Sequence, residues 1–405
     1  MINIAVLGYG TVGSGVVEVI RTNQELINKR AGQDINIKYV LDLRDFPGDP
    51  VESILVHNYD VILKDEDVKV VVEVMGGVNP AYNFVKSALL AGKSVCTSNK
   101  ELVAKHGAEL LEIAKNNNIN FFFEASVGGG IPIIRPLIQS ITADDIMEIS
   151  GILNGTTNFI LTKMDKEGSG FDDVLKEAQD LGYAERNPAA DVEGFDACRK
   201  IAILSSLACG AQVDFEDIYT EGITKITDVD FKYAKKLDVS IKLIGSSKKV
   251  DGGYCAMVAP KMLSNEHPLA GVNGVMNAIF VKGNVLGDVM FYGAGAGKLP
   301  TASAVVSDVV EAVKYIDSNV VTIWDTNKAT LVKAEEVASR FFVRISGDAS
   351  ERLAEVTKAF GKGEVVTVDW VTGELAYVTE AITEKEYATA AAGLDGIISM
   401  IRYEK

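Results

Sequence analysis

The stretch Ile2-Asn-Ile-Ala-Val-Leu-Gly-Tyr-Gly-Thr-Val-Gly-Ser-Gly15 decides how the first third of this chain folds. Ile2 to Leu7 is an apolar run that reads as a buried strand, and Gly13 to Lys29 carries helical spacing through Val16, Val17, Ile20, Leu26 and Ile27. Between them Gly8-Tyr-Gly10-Thr11-Val12-Gly13 has the form GxGxxG. After a strand and before a helix, each glycine has a mechanical purpose. Gly8 permits the tight turn, Gly10 lets backbone approach a pyrophosphate, and Gly13 lets helix and strand pack closely. The loop opens the helix, whose free N–H groups favour an anion. The motif predicts a dinucleotide-binding unit.

Outward from this loop, apolar runs and helical patterns alternate. Strands are expected over 35–41, 68–75, 94–97 and 120–124, with helices over 84–91 and 104–116. That alternation argues for a parallel, doubly wound α/β sheet over residues 1–134. Beyond it, 147–153, 254–260 and 277–282 read as strands. Gly271, Gly274, Gly283 and Gly287 mark turns that suggest antiparallel pairing. Helices are expected over 195–209 and 229–244, so residues 135–300 read as an α+β substrate and dimerisation domain. A helix over 301–316, capped by Pro300 and Thr301, is expected to complete the first domain. Residues 318–337 read as a linker. Residues 338–405 follow the order βαββαβ, a ferredoxin-like module.

The 405 residues include 40 basic and 56 acidic side chains, a net charge of −16. That balance disfavours nucleic acid and anionic membrane surfaces as partners. No apolar run reaches the length of a membrane span, and the first residues lack a basic, signal-like region. Only three histidines are present, His57, His106 and His267, and the four cysteines form no CxxC pair. Zinc clusters and disulfide frameworks are therefore not expected, and a cytoplasmic, reducing setting is. Proton chemistry falls to Lys, Asp or Glu. His267, in His-Pro-Leu-Ala, is read as structural, and Cys198 and Cys209 as packing.

Asp196 and Lys200 lie at i and i+4, hence on one helix face. Such a pair is either a surface salt bridge or a held ammonium able to stabilise and protonate a developing alkoxide. Lys100, in Thr97-Ser98-Asn99-Lys100, and Gly76-Gly77 each follow a strand, where open parallel sheets bind ligands. Asp42 and Arg44 end the second strand. The acid argues for NAD through a ribose hydroxyl, the arginine for NADP through a 2′-phosphate, and both coenzymes remain open.

The motifs LGYAERNPAADVEGFDACRKIAIL (181–204), SNKELVA, ILNGTTNFIL and PTASAVVSDVV together resemble homoserine dehydrogenase over about residues 1–330. The resemblance implies a Rossmann domain joined to a substrate and dimerisation domain. It also implies reversible NAD(P)H-dependent reduction of aspartate 4-semialdehyde to homoserine, and a homodimer or homotetramer. Carried onto this sequence, it makes Lys200 the acid, with Asp196 and Lys100 as catalytic partners. Glu185 receives the substrate ammonium, Asp191 either does the same or caps the helix region, and Tyr183 and Thr156 are further substrate positions. Gly8, Gly10, Thr11, Val12, Gly13, Arg44, Gly76, Ser98, Lys100 and Gly295 would face the coenzyme. Backbone carbonyls of Glu124, Val127, Gly129 and Ile131 would hold a sodium ion. Residues 338–405 resemble an ACT domain, an amino-acid-sensing module. Here Ser350 and Glu351 replace the Pro-Gly expected in its first turn, with Ser350 read as a helix cap. A threonine effector and a purely dimerising module are both consistent with that turn.

Overall fold

The computed structural model describes all 405 residues and divides into two compact units. Unit one comprises residues 1–145, 202–215 and 291–329; unit two comprises 146–201, 216–290 and 330–405.

Unit one begins β1 (Ile2–Leu7), α1 (Thr11–Thr22), α2 (Gln24–Ala31), β2 (Ile35–Leu41), β3 (Leu55–Val56), α3 (Tyr59–Lys64) and β4 (Val68–Glu73). It continues α4 (Ala81–Leu90), β5 (Ser94–Thr97), α5 (Lys100–Asn116) and β6 (Phe121–Phe122). The six strands are all parallel, in the order β3-β2-β1-β4-β5-β6. Ile4 to Leu7 and Val70 to Val72 are buried on both faces, as helix-covered parallel strands must be. The strand order reverses beside β1, and the glycine loop leaves the carboxyl end of that strand. The strand expected over 120–124 is cut to two residues. The Glu124 carboxylate accepts the N–H groups of Ile133, Ile134 and Arg135 at 2.6, 2.8 and 2.8 Å and curls the chain away from the sheet.

The chain continues β7 (Ile146–Ile152), α6 (Gly155–Glu167), α7 (Phe171–Asp180), α8 (Ala189–Val192), α9 (Phe195–Cys209), β8 (Ala211–Gln212) and β9 (Tyr219–Thr220). Next come α10 (Asp228–Leu237), β10 (Val239–Val250), β11 (Gly253–Ser264), β12 (Met276–Gly283), β13 (Gly287–Ala294), α11 (Lys298–Lys314) and β14 (Asp325–Lys328). The helix expected over 229–244 stops at Leu237. Asp238 adopts φ +56°, and the chain turns into β10, which pairs antiparallel with both β11 and β7. The strand is then buried on both faces from Ile241 to Ser247, and Ile244 joins the core with Ile152 and Leu263.

Helix α11 belongs to unit one. Ala302, Val305, Val309 and Ala312 join the cluster formed by Val16, Val17 and Ile20. A Cβ on Gly15 of α1 would lie 2.9 Å from the Lys298 carbonyl oxygen and 3.1 Å from the Ala302 Cβ. The helix starts at Lys298, not 301, so Pro300 sits inside its first turn, where a missing N–H costs no hydrogen bond. The stretch read as a linker is not a free tether. Trp324 is buried and donates to Gln212 at 3.0 Å, while β14 pairs with β8.

The chain ends β15 (Ala338–Ser346), α12 (Ala349–Phe360), β16 (Gly363–Val366), β17 (Glu374–Thr379), β18 (Ile382–Thr383), α13 (Glu384–Ala392) and β19 (Ile397–Glu404). In unit two one sheet runs β12-β7-β10-β11-β19-β15-β17-β16. The C-terminal βαββαβ module is thus joined edge to edge with the preceding sheet through the parallel pair β11–β19. Buried charges fasten this junction. Arg344 binds Glu374 through two nitrogens at 2.9 and 2.8 Å and Asp230 at 2.9 Å. Lys261 of β11 reaches Glu404 of β19 at 2.9 Å.

Burial raises and the cations Lys261 and Lys248 lower the Glu404 carboxyl pKa; the cations win, bringing it to about 2 from the ordinary 4.5. Its folded pKa is depressed, so its stabilisation is present above pH 4.5 and is lost as pH falls from 4.5 towards 2. Glu404→Gln should lower Tm at neutral pH and flatten the dependence of Tm on pH across that window. An unchanged acid profile in calorimetry would refute this role.

Candidate functional site

In unit one the glycine loop has the geometry the motif requires. Gly8 adopts φ +97°, and a Cβ on Gly13 would stand 1.9 Å from the Gly8 carbonyl oxygen. A Cβ on Gly10 would meet nothing within 4 Å, so the space above it is open. Helix α1 has no side-chain cap and no acidic residue in its first turn. The N–H groups around Thr11, Val12 and Gly13 therefore keep their partial positive charge for a ligand. These residues fit a pyrophosphate.

Asp42 and Arg44 are not alternatives in the folded chain but partners. Strand β2 ends at Leu41, and the Arg44 guanidinium binds both Asp42 oxygens at 3.0 and 2.9 Å. Asp42 also accepts the Tyr9 N–H of the glycine loop at 2.8 Å. The Arg44 guanidinium, and the N–H groups of Arg44 and Tyr9, hold the Asp42 carboxyl well below the usual carboxylate range despite its partial burial. Arg44 itself is exposed and lies over Phe46.

At the carboxyl ends of β4 and β5, Glu73 organises a network that the sequence did not signal. Its carboxylate accepts the Met75 N–H at 2.8 Å and the Thr97 hydroxyl at 2.6 Å. Thr97 in turn accepts the Asn99 N–H, and the Asn99 amide donates to the Gly77 carbonyl at 2.5 Å. Burial pushes the Glu73 carboxyl up, opposed by these donors. The network fixes Gly76 and Gly77, both with positive φ, next to Ser98. Asn99 caps α5, whose first residue is Lys100.

Residues 124–131 and 294–300 meet within the same unit. Gly130 donates to the Ala294 carbonyl at 3.1 Å, and a Cβ on Gly129 would stand 2.4 Å from the Gly295 carbonyl oxygen. The Gly128 carbonyl accepts from Ile131, and that of Glu124 accepts from Val127 at a long 3.4 Å. The carbonyls of Val127, Gly129 and Ile131, in buried residues, accept no hydrogen bond within the chain. Such carbonyls suit a hard cation. No cluster of three or more His, Cys, Asp or Glu side chains is placed to hold a metal ion.

In unit two, Lys200 is buried on α9. Its ammonium donates to Asp196 Oδ2 at 2.7 Å and to the Leu153 carbonyl at 2.7 Å. The pair is a buried contact, not a surface salt bridge. Asn154, at the β7–α6 corner, donates to Asp196 Oδ2 at 2.9 Å and to Asp191 Oδ1 at 2.7 Å. Four residues from three elements thereby share one hydrogen-bonded cluster. Thr156 donates to the Tyr183 carbonyl at 2.6 Å and pins the 181–188 loop to α6, with Tyr183 edge-on against Phe159. Glu185 lies exposed in that loop, outside the cluster.

His267 accepts the Leu269 N–H at 3.1 Å, and burial lowers its pKa. Cys96, Cys198 and Cys255 are buried, and burial raises each thiol. No helix is long and apolar enough to cross a membrane.

Two family models match the chain: "Homoserine dehydrogenase, NAD binding domain" over residues 8–124 and "Homoserine dehydrogenase" over 132–310. Homoserine dehydrogenase of Bacillus subtilis is 47% identical over 318 residues, covering 77% of this chain and 73% of the relative. That of Neisseria gonorrhoeae is 37% identical over 429 residues, covering 100% and 98%. A solved homoserine dehydrogenase from Thiobacillus denitrificans superposes with a TM-score of 0.91 at 37% identity, covering 100% and 98%. A hyperthermophilic archaeal homoserine dehydrogenase in complex with NADPH superposes with a TM-score of 0.66 at 31% identity, covering 77% and 97%.

Proposed function

This chain belongs to the homoserine dehydrogenase family, and from that premise we propose that Lys200, held by Asp196, is the proton donor of an NAD(P)-dependent oxidoreductase. The reaction is the reversible reduction of L-aspartate 4-semialdehyde to L-homoserine. The observation that carries the assignment is the buried ammonium held between Asp196 and the Leu153 carbonyl. Two of its three N–H donors are fixed, which leaves the third for the substrate oxygen.

When bound, the nicotinamide supplies the hydride. The chain's residues do the rest. The uncapped start of α1, with Gly8, Gly10 and Gly13, would hold the pyrophosphate, and Arg44 would face the adenosine ribose. Lys200 gives its proton to the oxygen as negative charge develops there, while Asp196 keeps the ammonium oriented. Lys100, at the carboxyl end of β5, supplies a second cation. Glu185 and Asp191 receive the substrate ammonium, and Thr156 and Tyr183 hold the loop that carries Glu185. The test is absorbance at 340 nm with homoserine and each of NAD and NADP. No turnover with either would sink the reading.

A sodium ion held by carbonyls of Glu124, Val127, Gly129 and Ile131 would stiffen the loop that abuts Gly295. Tm should rise when sodium replaces a bulky organic cation at equal ionic strength; equal Tm would remove the site.

The C-terminal module is ACT-like in element order, and its role is docking. Its first turn is filled: Arg352 packs on Gly347 and donates to the Ser346 and Asp395 carbonyls at 3.1 and 2.6 Å. The cap of α12 is Asp348, with Ser350 already inside the helix, contrary to the sequence reading. Millimolar threonine should leave the rate unchanged; inhibition would establish an effector site. Exposed Val285, Leu286 and Met290 beside and on β13 support assembly of like chains. A monomer by light scattering would refute assembly.

A further inference from the structure

We propose that Asn154 is a positioning residue for this reaction, holding Asp191 and Asp196 in one arrangement around Lys200. The inference rests on the assignment of Lys200 and Asp196 given above. Asn154 lies at the corner between β7 and α6 with extended backbone, φ −132° and ψ 118°, and is 7% exposed. Its side chain uses its whole hydrogen-bonding capacity. Oδ1 accepts the Thr157 N–H at 2.9 Å, capping α6, and the Thr157 hydroxyl at 3.1 Å. Nδ2 donates to Asp191 Oδ1 at 2.7 Å and to Asp196 Oδ2 at 2.9 Å. The partners fix the amide's orientation, because ionised carboxylates only accept and a backbone N–H only donates.

The consequence is electrostatic as well as geometric. Asp196 Oδ2 is also the atom bound by Lys200 Nζ. Two carboxylates brought near one lysine repel each other unless a donor stands between them. A neutral amide gives one N–H to each and so eases that repulsion without adding charge. Leu153, the preceding residue, provides the carbonyl that receives Lys200, and its side chain packs against Gly245 of β10. The Leu153–Asn154 dipeptide therefore holds both members of the Asp196–Lys200 pair. Ser or Asp would cap α6 as well as Asn does. Neither supplies the two amide protons, so capping alone does not account for asparagine here.

That separation of capping from donation gives the test. Asn154→Ser in the full chain retains a helix cap and removes both donors. Its kcat should fall roughly 10- to 100-fold, as expected for charge-assisted hydrogen bonds. KM for homoserine should rise, and KM for coenzyme should stay within about twofold. The solvent deuterium effect on kcat should grow, because a misplaced ammonium makes proton transfer slower. A purely structural asparagine would instead lower Tm while leaving kcat per folded molecule and the isotope effect unchanged; that result overturns the proposal. If the serine variant does not fold, isosteric Asn154→Asp replaces it. Its third carboxylate should cost at least as much kcat, and a parent-like kcat again overturns the proposal. Lys200→Ala is assayed alongside. Full activity there means that the Lys200 assignment has failed, whereas an inactive Lys200→Ala beside an active Asn154→Ser means that only the present inference has failed.

Discussion

Lys200→Ala lowers kcat by roughly 10²- to 10⁴-fold, the range for loss of a positioned general acid, while KM for coenzyme changes little. The ammonium is buried and bound at 2.7 Å to both Asp196 and the Leu153 carbonyl, and alanine has no proton to give in its place. The variant also removes a buried ion pair, and Tm should fall. Rates must therefore be normalised to folded protein by circular dichroism. A small primary amine in the assay should restore part of the lost rate by occupying the vacated space. A variant with normal kcat would show that the proton comes from elsewhere.

Gly13→Ala is the second large effect. A methyl group 1.9 Å from the Gly8 carbonyl oxygen cannot be accommodated by side-chain movement, since its obstacle is backbone. The β1–α1 turn must open. KM for NAD(P) should rise by roughly 100-fold or more, with a loss of stability of about 1–3 kcal/mol typical of overpacking. Gly10→Ala makes the informative contrast. Its Cβ meets nothing within 4 Å, so Tm should be unchanged. Any rise in coenzyme KM then reports how closely the pyrophosphate approaches that residue. Equal coenzyme KM in both variants and the parent would remove the loop from the binding site.

The features legible in the amino-acid sequence alone are local ones. The strand–GxGxxG–helix unit could be read because turn, helix start and close packing are all dictated within fourteen residues. The pairing of Asp196 with Lys200 was legible for the same reason, since i and i+4 share a helix face whatever lies around them. The ferredoxin-like order of the last strands and helices was legible from alternating periods. Tertiary structure decided the remainder. It turned the expected end of helix 229–244 into β10, because that stretch gains a ladder with β11. It made the 318–337 segment more than a linker, because Trp324 finds Gln212 more than a hundred residues away. It also converted the Asp196–Lys200 pair from a common surface motif into a buried cluster. Leu153 and Asn154 lie more than forty residues from that pair, and no local pattern encodes such a contact. Propensity and periodicity act over a few residues, whereas a remote hydrogen bond is selected only once the whole chain has closed around it.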